Sequence, residues 1–278
     1  ARVDSVGNVL LGLTSTLSSN NARLQVAHTD GNADIIVHRA GDNANPPGLN
    51  FQKTRNASIG NYGTIVQDDD ELGSIRWGGA DGSAIAFAAR IVGAVDGTPG
   101  SNDMPGRLQF HTSADGSEGM TERMRIDSSG RLMIGNTQAA NVLSAANNLV
   151  VGAGSGSEGM TIYSGSSDGG FIAFADGTSD PSYRMGQIIY DHSVNTMVFR
   201  INGNTDRLRI DSNGRLLVGT TVEGHSNADD LTIATSANTG ITIRSGTSND
   251  GNIFFSDAES GGGETQGTIK YDHGDDKF

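Results

Sequence analysis

An all-β chain is what this sequence predicts, and three observations predict it. Short apolar and polar residues alternate through most of its length, the period of half-buried strands. Clusters of Gly, Asn, Asp and Ser separate these runs at close spacing, as turns do. One phrase recurs: "RVDSVGNVLLG" from Arg2, "RIDSSGRLMIG" from Arg125 and "RIDSNGRLLVG" from Arg209. The expected architecture is a series of small sandwich- or prism-like β-modules joined by short β-hairpin repeats.

Each phrase reads as a hairpin. In "RMRIDSSGRLMIG", Met124 and Ile126 alternate with Arg123 and Arg125, "DSSG" supplies the turn, and Leu132 and Ile134 then alternate with Met133. Gly7, Gly130 and Gly214 close the three turns, where glycine takes a positive φ at little cost. The phrase begins at residues 2, 125 and 209, so the intervals are unequal and the chain is not a solenoid of constant period. The resulting division is hairpin repeat 1 at residues 1–14, β-module 1 at 15–120, hairpin repeat 2 at 121–137, β-module 2 at 138–204, hairpin repeat 3 at 205–221 and β-module 3 at 222–278.

The last two modules are related. Residues 159–192 align without a gap onto 240–273, "GMTIYSGSSDGGFIAFAD" onto "GITIRSGTSNDGNIFFSD" and "GQIIYDH" onto "GTIKYDH". The first insert is longer and reads as a different module type. Strands are expected at "RLQVAH", "ADIIVHR", "GSIRW", "RLQFHT", "GMTIYSG", "GQIIYDH", "NTMVFRING", "LTIAT" and "ITIRSG". "NTQAANVLSAANN" offers one or two helical turns, and "SAIAFAARIVGAV" fits either a strand or a short helix. Both ends fall inside a module, so the natural polypeptide is expected to continue in both directions and Ala1 is read as a cut end.

Composition limits what the chain does. Of 278 residues, 40 are Gly, 35% are hydrophobic and 5% aromatic, a poor supply for one large core. A two-stranded hairpin with a few aliphatics needs a cover. Three copies of the chain packing Ile126, Leu132 and Ile134 about a threefold axis would provide it, with the alternating arginines toward solvent or neighbouring Asp127 side chains. A net charge of −13 argues against a phosphate-backbone partner, so no nucleic acid is expected. The most apolar run, 84–95, is too short to span a bilayer and contains Arg90, so no membrane insertion is expected. There is no cysteine, which leaves the redox compartment open.

No motif specifies a chemistry. "GAGSGSEG" from Gly152 has loop glycines but is followed by a strand rather than the helix a phosphate loop requires. The acidic runs "DDDE" at Asp68 and "TDGNAD" at Thr29 lack the ligand spacing of a calcium loop and read as turns. The six histidines show no metal spacing, and His192 and His273 hold matching places in "YDH". Trp77, Asp81, Asp96 and Asp103 make the first insert the richest irregular surface, yet no pair is singled out for glycoside hydrolysis. The sequon at Asn56 bears only on a eukaryotic secretory setting. No catalytic, cofactor-binding or metal residues are assigned, and the chain is expected not to be an enzyme.

"TERMRIDSSGRLMIGNT", "YDHSVNTMVFRINGNTDRLRIDSNGRLLVGTT" and "VDGTPGSNDMPGRLQFHTSADG" resemble repeats of bacteriophage tail fibre proteins, the repetitive fibres of marine and cyanobacterial phages in particular. With the inserts they bound, these segments cover nearly the whole chain. The resemblance implies an elongated homotrimer in the virion tail, extracellular, joined to other tail components and serving recognition of a host-surface glycan or protein, without cofactor or catalytic machinery. Neither the tail-attachment domain nor the self-cleaving chaperone domain that often ends such fibres is visible, so the segment matches a shaft. The alternatives are a bacterial surface adhesin of similar modules and a polysaccharide-depolymerase tailspike.

Overall fold

The computed structural model describes every residue except 17–21, 30–32 and 139–141. Among the described residues it holds seventeen strands, with helix confined to short 3₁₀ turns, so the all-β expectation is met. The chain divides into two units, Ala1–Met160 and Thr161–Phe278.

The first unit opens with a small sheet of β1 (Arg2–Val3), β2 (Val9–Leu11) and β3 (Leu24–Val26). A six-stranded sheet follows: β4 (Glu71–Ala80), β5 (Ile85–Val95), β6 (Gly106–Ser113), β7 (Met120–Ile126), β8 (Leu132–Ile134) and β9 (Leu149–Val151), in chain order across the sheet. The second unit repeats that order with β10 (Gly169–Phe174), β11 (Gly186–Asp191), β12 (Thr196–Ile201), β13 (Thr205–Ile210), β14 (Leu216–Val218) and β15 (Leu231–Ile233). It ends in the two-stranded sheet of β16 (Asp250–Phe255) and β17 (Gly267–Asp272).

Both six-stranded sheets are antiparallel meanders whose last pair is parallel. The first insert, which sequence sets apart, therefore has the strand order of the second. Its leading strands are longer, and β4 carries two register shifts against β5, which defeats an ungapped alignment.

The repeated hairpin is a three-stranded unit. After each hairpin the chain crosses over and returns as a strand parallel to the hairpin's second strand, pairing Val9 with Leu24, Leu132 with Leu149 and Leu216 with Leu231. The second and third hairpins are hydrogen-bonded into the sheet of the preceding insert rather than standing alone.

The turn chemistry recurs as well. Asp127 accepts from the backbone N–H of Ser129 at 3.0 Å and of Arg131 at 2.9 Å, and from Arg131 Nε at 2.7 Å. Asp211 does the same with Asn213 and Arg215, and Asp4 with Val6 and Asn8. Asp127 is thus held by its own hairpin's arginine, whereas sequence pairs it with neighbouring arginines. The tip glycines Gly7, Gly130 and Gly214 have φ of +84°, +77° and +84°, as their positions predict.

The first strand of the second and third hairpins meets the strand before it, β6 or β12, across a bulge. Phe110 and His111 face Met124 and Glu122, leaving Arg123 extra, and Phe199 and Arg200 face Leu208 and Asp206, leaving Arg207 extra. Residues three apart on a regular strand point to opposite faces; the extra residue brings them to one face. Arg125 therefore pairs with Glu122, and Arg209 with Asp206 at 3.1 Å.

Three expected strands do not form: residues of "ADIIVHR", "GMTIYSG" and "ITIRSG" lie outside any strand. They carry the alternation, but among the described residues no segment pairs with them as a strand. The ambiguous "SAIAFAARIVGAV" is strand β5, because β4 and β6 flank it on both sides. "NTQAANVLSAANN" gives one 3₁₀ turn at Ser144–Ala146, with residues 139–141 outside the described set.

Candidate assembly interface

Two apolar rows cross each six-stranded sheet on one face. In the first sheet, successive partners are Ile75, Ile91, Phe110, Met124, Ile134 and Val151. Beside them run Gly73, Gly93, Leu108, Ile126, Leu132 and Leu149. The second sheet repeats the plan with Ile172, Ile188, Phe199, Leu208, Val218 and Ile233, next to Gly170, Tyr190, Met197, Ile210, Leu216 and Leu231. In β16 and β17 the same face begins with Ile253 opposite Ile269 and Gly251 opposite Tyr271.

These rows are open. Ile126 is 41% exposed, Ile134 40%, Leu149 51% and Phe199 39%. Ile126, Leu132 and Ile134, the stripe sequence assigns to an interface, stand together on this face.

The opposite face carries the charges and is the better covered. Its central row in the first sheet is Ser74, Val92, Gln109, Arg125, Met133 and Val150, in which Val92, Gln109, Met133 and Val150 are buried. Val142, from the crossover between β8 and β9, packs on Met133 and Val150. The crossover thus seals one face of the hairpin and leaves the other bare. Sequence reasoning misses Met133 because its cover, Val142, comes from a crossover whose path has no local signal.

A soluble monomer of 28.8 kDa exposes roughly 11,000 Å² by the usual size scaling. This chain exposes 20194 Å². The difference, on the order of 9,000 Å², far exceeds the roughly 800 Å² per partner of an ordinary interface.

No family model matches the chain, and no curated protein does. Among solved structures it is similar to the carboxy-terminal domain of the bacteriophage T5 L-shaped tail fibre with its intramolecular chaperone domain, at 11% identity and a TM-score of 0.39, over 77% of this chain and 69% of that one. A structure of the T5 fibre's carboxy-terminal domain matches at 10% identity and a TM-score of 0.32, over 76% of this chain and 100% of that one. At such values the function has to be argued from the residues.

The polar candidates are taken up locally. Asp81 accepts from the N–H groups of Ser83 and Ala84, both at 2.7 Å, which holds its carboxyl below the ordinary 3.8. Burial raises the Asp96 carboxyl, but Ser128 N–H at 2.8 Å and Arg107 at 3.2 Å outweigh it and the net shift is downward. Asp103 bonds through its backbone to Gly100, and Trp77 stands half exposed on β4. In "DDDE", Asp68 accepts from Gly97 N–H, Asp69 pairs with Arg107, Asp70 with Arg55 and Lys53, and Glu71 with Arg90. Asp68 and Asp69 form the exposed turn that sequence expects, whereas Asp70 is buried and held by ion pairs. Arg55 above all, then Gln67 N–H and Lys53, hold the Asp70 carboxyl well below the usual range.

"TDGNAD" lies partly outside the described residues. Among the described residues no group of three or more His, Asp or Glu is placed to hold a metal, and no helix is long and apolar enough to cross a membrane. His192 and His273 meet Tyr190 and Tyr271 edge-on, with ring centres 4.8 and 4.7 Å apart. His111 is buried, and burial followed by the charge of Arg90 lowers its pKa below 6.5.

Proposed function

We propose that this chain is a non-catalytic structural segment from the shaft of a homotrimeric phage tail fibre, carried outside the cell on the virion. It links other tail components to the part that recognises a host-surface glycan or protein. The observation that carries this reading is the pair of open apolar rows, present in both six-stranded sheets and begun again in the third. A face of this kind in water calls for a cover, and a repeating cover along the chain is what parallel copies provide. The number three comes from the resemblance of the hairpin phrases to phage fibre repeats.

The work of such a segment is mechanical. Burial between copies supplies stiffness, and display of three chains multiplies weak contacts at the host surface. The non-catalytic reading is supported by the carboxyls of Asp81 and Asp96, which sit low; a glycosidase acid needs a raised pKa to protonate its leaving group.

Immunogold labelling with antibodies against this chain tests the proposal. Label on fibres between the virion and the fibre tips supports it, and label on the bacterial envelope instead would replace it with the adhesin reading. Release of reducing ends from host polysaccharide by the purified protein would reject the non-catalytic role.

A further inference from the structure

Each module contains a segment with the sequence of a strand and no strand partner among the described residues. The three read Gly48-Leu49-Asn50-Phe51-Gln52, Gly159-Met160-Thr161-Ile162-Tyr163 and Gly240-Ile241-Thr242-Ile243-Arg244. All begin with glycine and place apolar residues at the second and fourth positions. The backbone groups of residues 49–52, 161–163 and 241–244 hydrogen-bond to no described residue.

Their placement is the same three times. The fourth residue lies over a glycine of the module's leading strand. A Cβ built on Gly73 would stand 2.4 Å from Phe51 Cβ, one on Gly170 would stand 3.4 Å from Ile162 Cγ2, and one on Gly251 would stand 3.5 Å from Ile243 Cγ2. An apolar groove opens between segment and sheet in two of the modules. That of the first, ≈ 340 Å³, is lined by residues including Leu49, Phe51, Ile75, Ile91 and Leu108. That of the third, ≈ 330 Å³, is lined by residues including Ile241, Ile243, Ile253, Ile269 and Tyr271.

We propose that residues 49–52, 161–163 and 241–244 are β-strands completed by a second copy of this chain, whose backbone pairs with theirs and whose apolar side chains enter the adjoining groove. The inference rests on the assembly reading above and says where the chains interlock. An unpaired strand presents a row of N–H and C=O groups that another chain can extend. The occupant follows from the recurrence. An unrelated partner would need matching strands at the same unequal intervals, whereas a parallel copy in register has them by construction. Charge agrees: apart from Arg244 these segments are uncharged, so copies of a chain with net charge −13 meet here without repulsion.

Hydrogen exchange on the native protein, read by mass spectrometry beside its native mass, tests the proposal. The amides of 49–52, 161–163 and 241–244 have no acceptor among the described residues, so protection on the order of 100-fold in an oligomer supports pairing between chains. An oligomer in which they exchange at the rate of free peptide overturns the pairing and leaves the assembly reading standing. A monomeric native protein overturns both. Thr242→Pro removes an N–H that no described group accepts, while Thr242→Val keeps it. Association weakened by about tenfold in the proline variant alone is the expected result, and equal association in the two overturns the pairing at this segment.

Discussion

Glycine at the end of the first and third hairpins is under tighter constraint than glycine at the tip. Gly219 has φ +73° and a Cβ there would lie 2.6 Å from the carbonyl oxygen of Ala234, whereas Gly214 has φ +84° with nothing within 4 Å. Gly214→Ala therefore costs only the left-handed backbone, about 1–2 kcal/mol, and Gly219→Ala adds an overlap, for roughly 2–4 kcal/mol in all. Urea midpoints of the two variants check the order. The turn aspartates add a pH dependence. Burial raises Asp127, but the Arg131 guanidinium and the Arg131 and Ser129 N–H groups hold its pKa below 3.8. At Asp211 the Arg215 N–H leads the same downward shift. A carboxylate whose pKa is depressed in the folded state stabilises above its unfolded value, and that contribution fades as pH falls through the folded value. Melting temperature is expected to fall as pH drops below about 4, and to fall less steeply in Asp127→Asn. The tip glycines and the aspartate turn were legible in the sequence. The overlap at Gly219 was not, because Ala234 directly follows a strand that returns after a crossover.

At the scale of the element, alternation told strand from loop wherever a neighbour within the chain existed. β6, β11 and β12 lie where their sequences place them. "ADIIVHR" and "GMTIYSG" have the same pattern and form no strand, since periodicity records which side of a backbone is apolar and says nothing of who pairs with it. The bulge at Arg123 and Arg207 was also hidden. Its trace is the shared "TERMR" and "TDRLR", where an acid and an arginine three apart make an ion pair only if one residue is extra. The open rows give a direct prediction. Phe199 is 39% exposed in the single chain, so Phe199→Asp leaves the β-sheet signal in circular dichroism intact and weakens association by on the order of 100-fold or more. Ser212→Asp, at an exposed hairpin tip, leaves association unchanged. Equal association of both variants with the parent chain would remove this face from the interface.

At the scale of the whole molecule, sequence composition and solved geometry make one statement. With 35% hydrophobic residues and 40 glycines the chain has little with which to build its own core, and most of its large apolar residues remain partly in water. The charged faces are covered by the chain itself and the apolar faces are left for others. Where copies would interlock was not legible, because one sequence carries no record of contacts between copies. The central claim is that copies of this chain bury one another's apolar rows, three at a time. Native mass spectrometry of the purified protein measures this directly: the account predicts a particle of three times the 28.8 kDa chain mass that persists on dilution, and a particle of a single chain mass would contradict it.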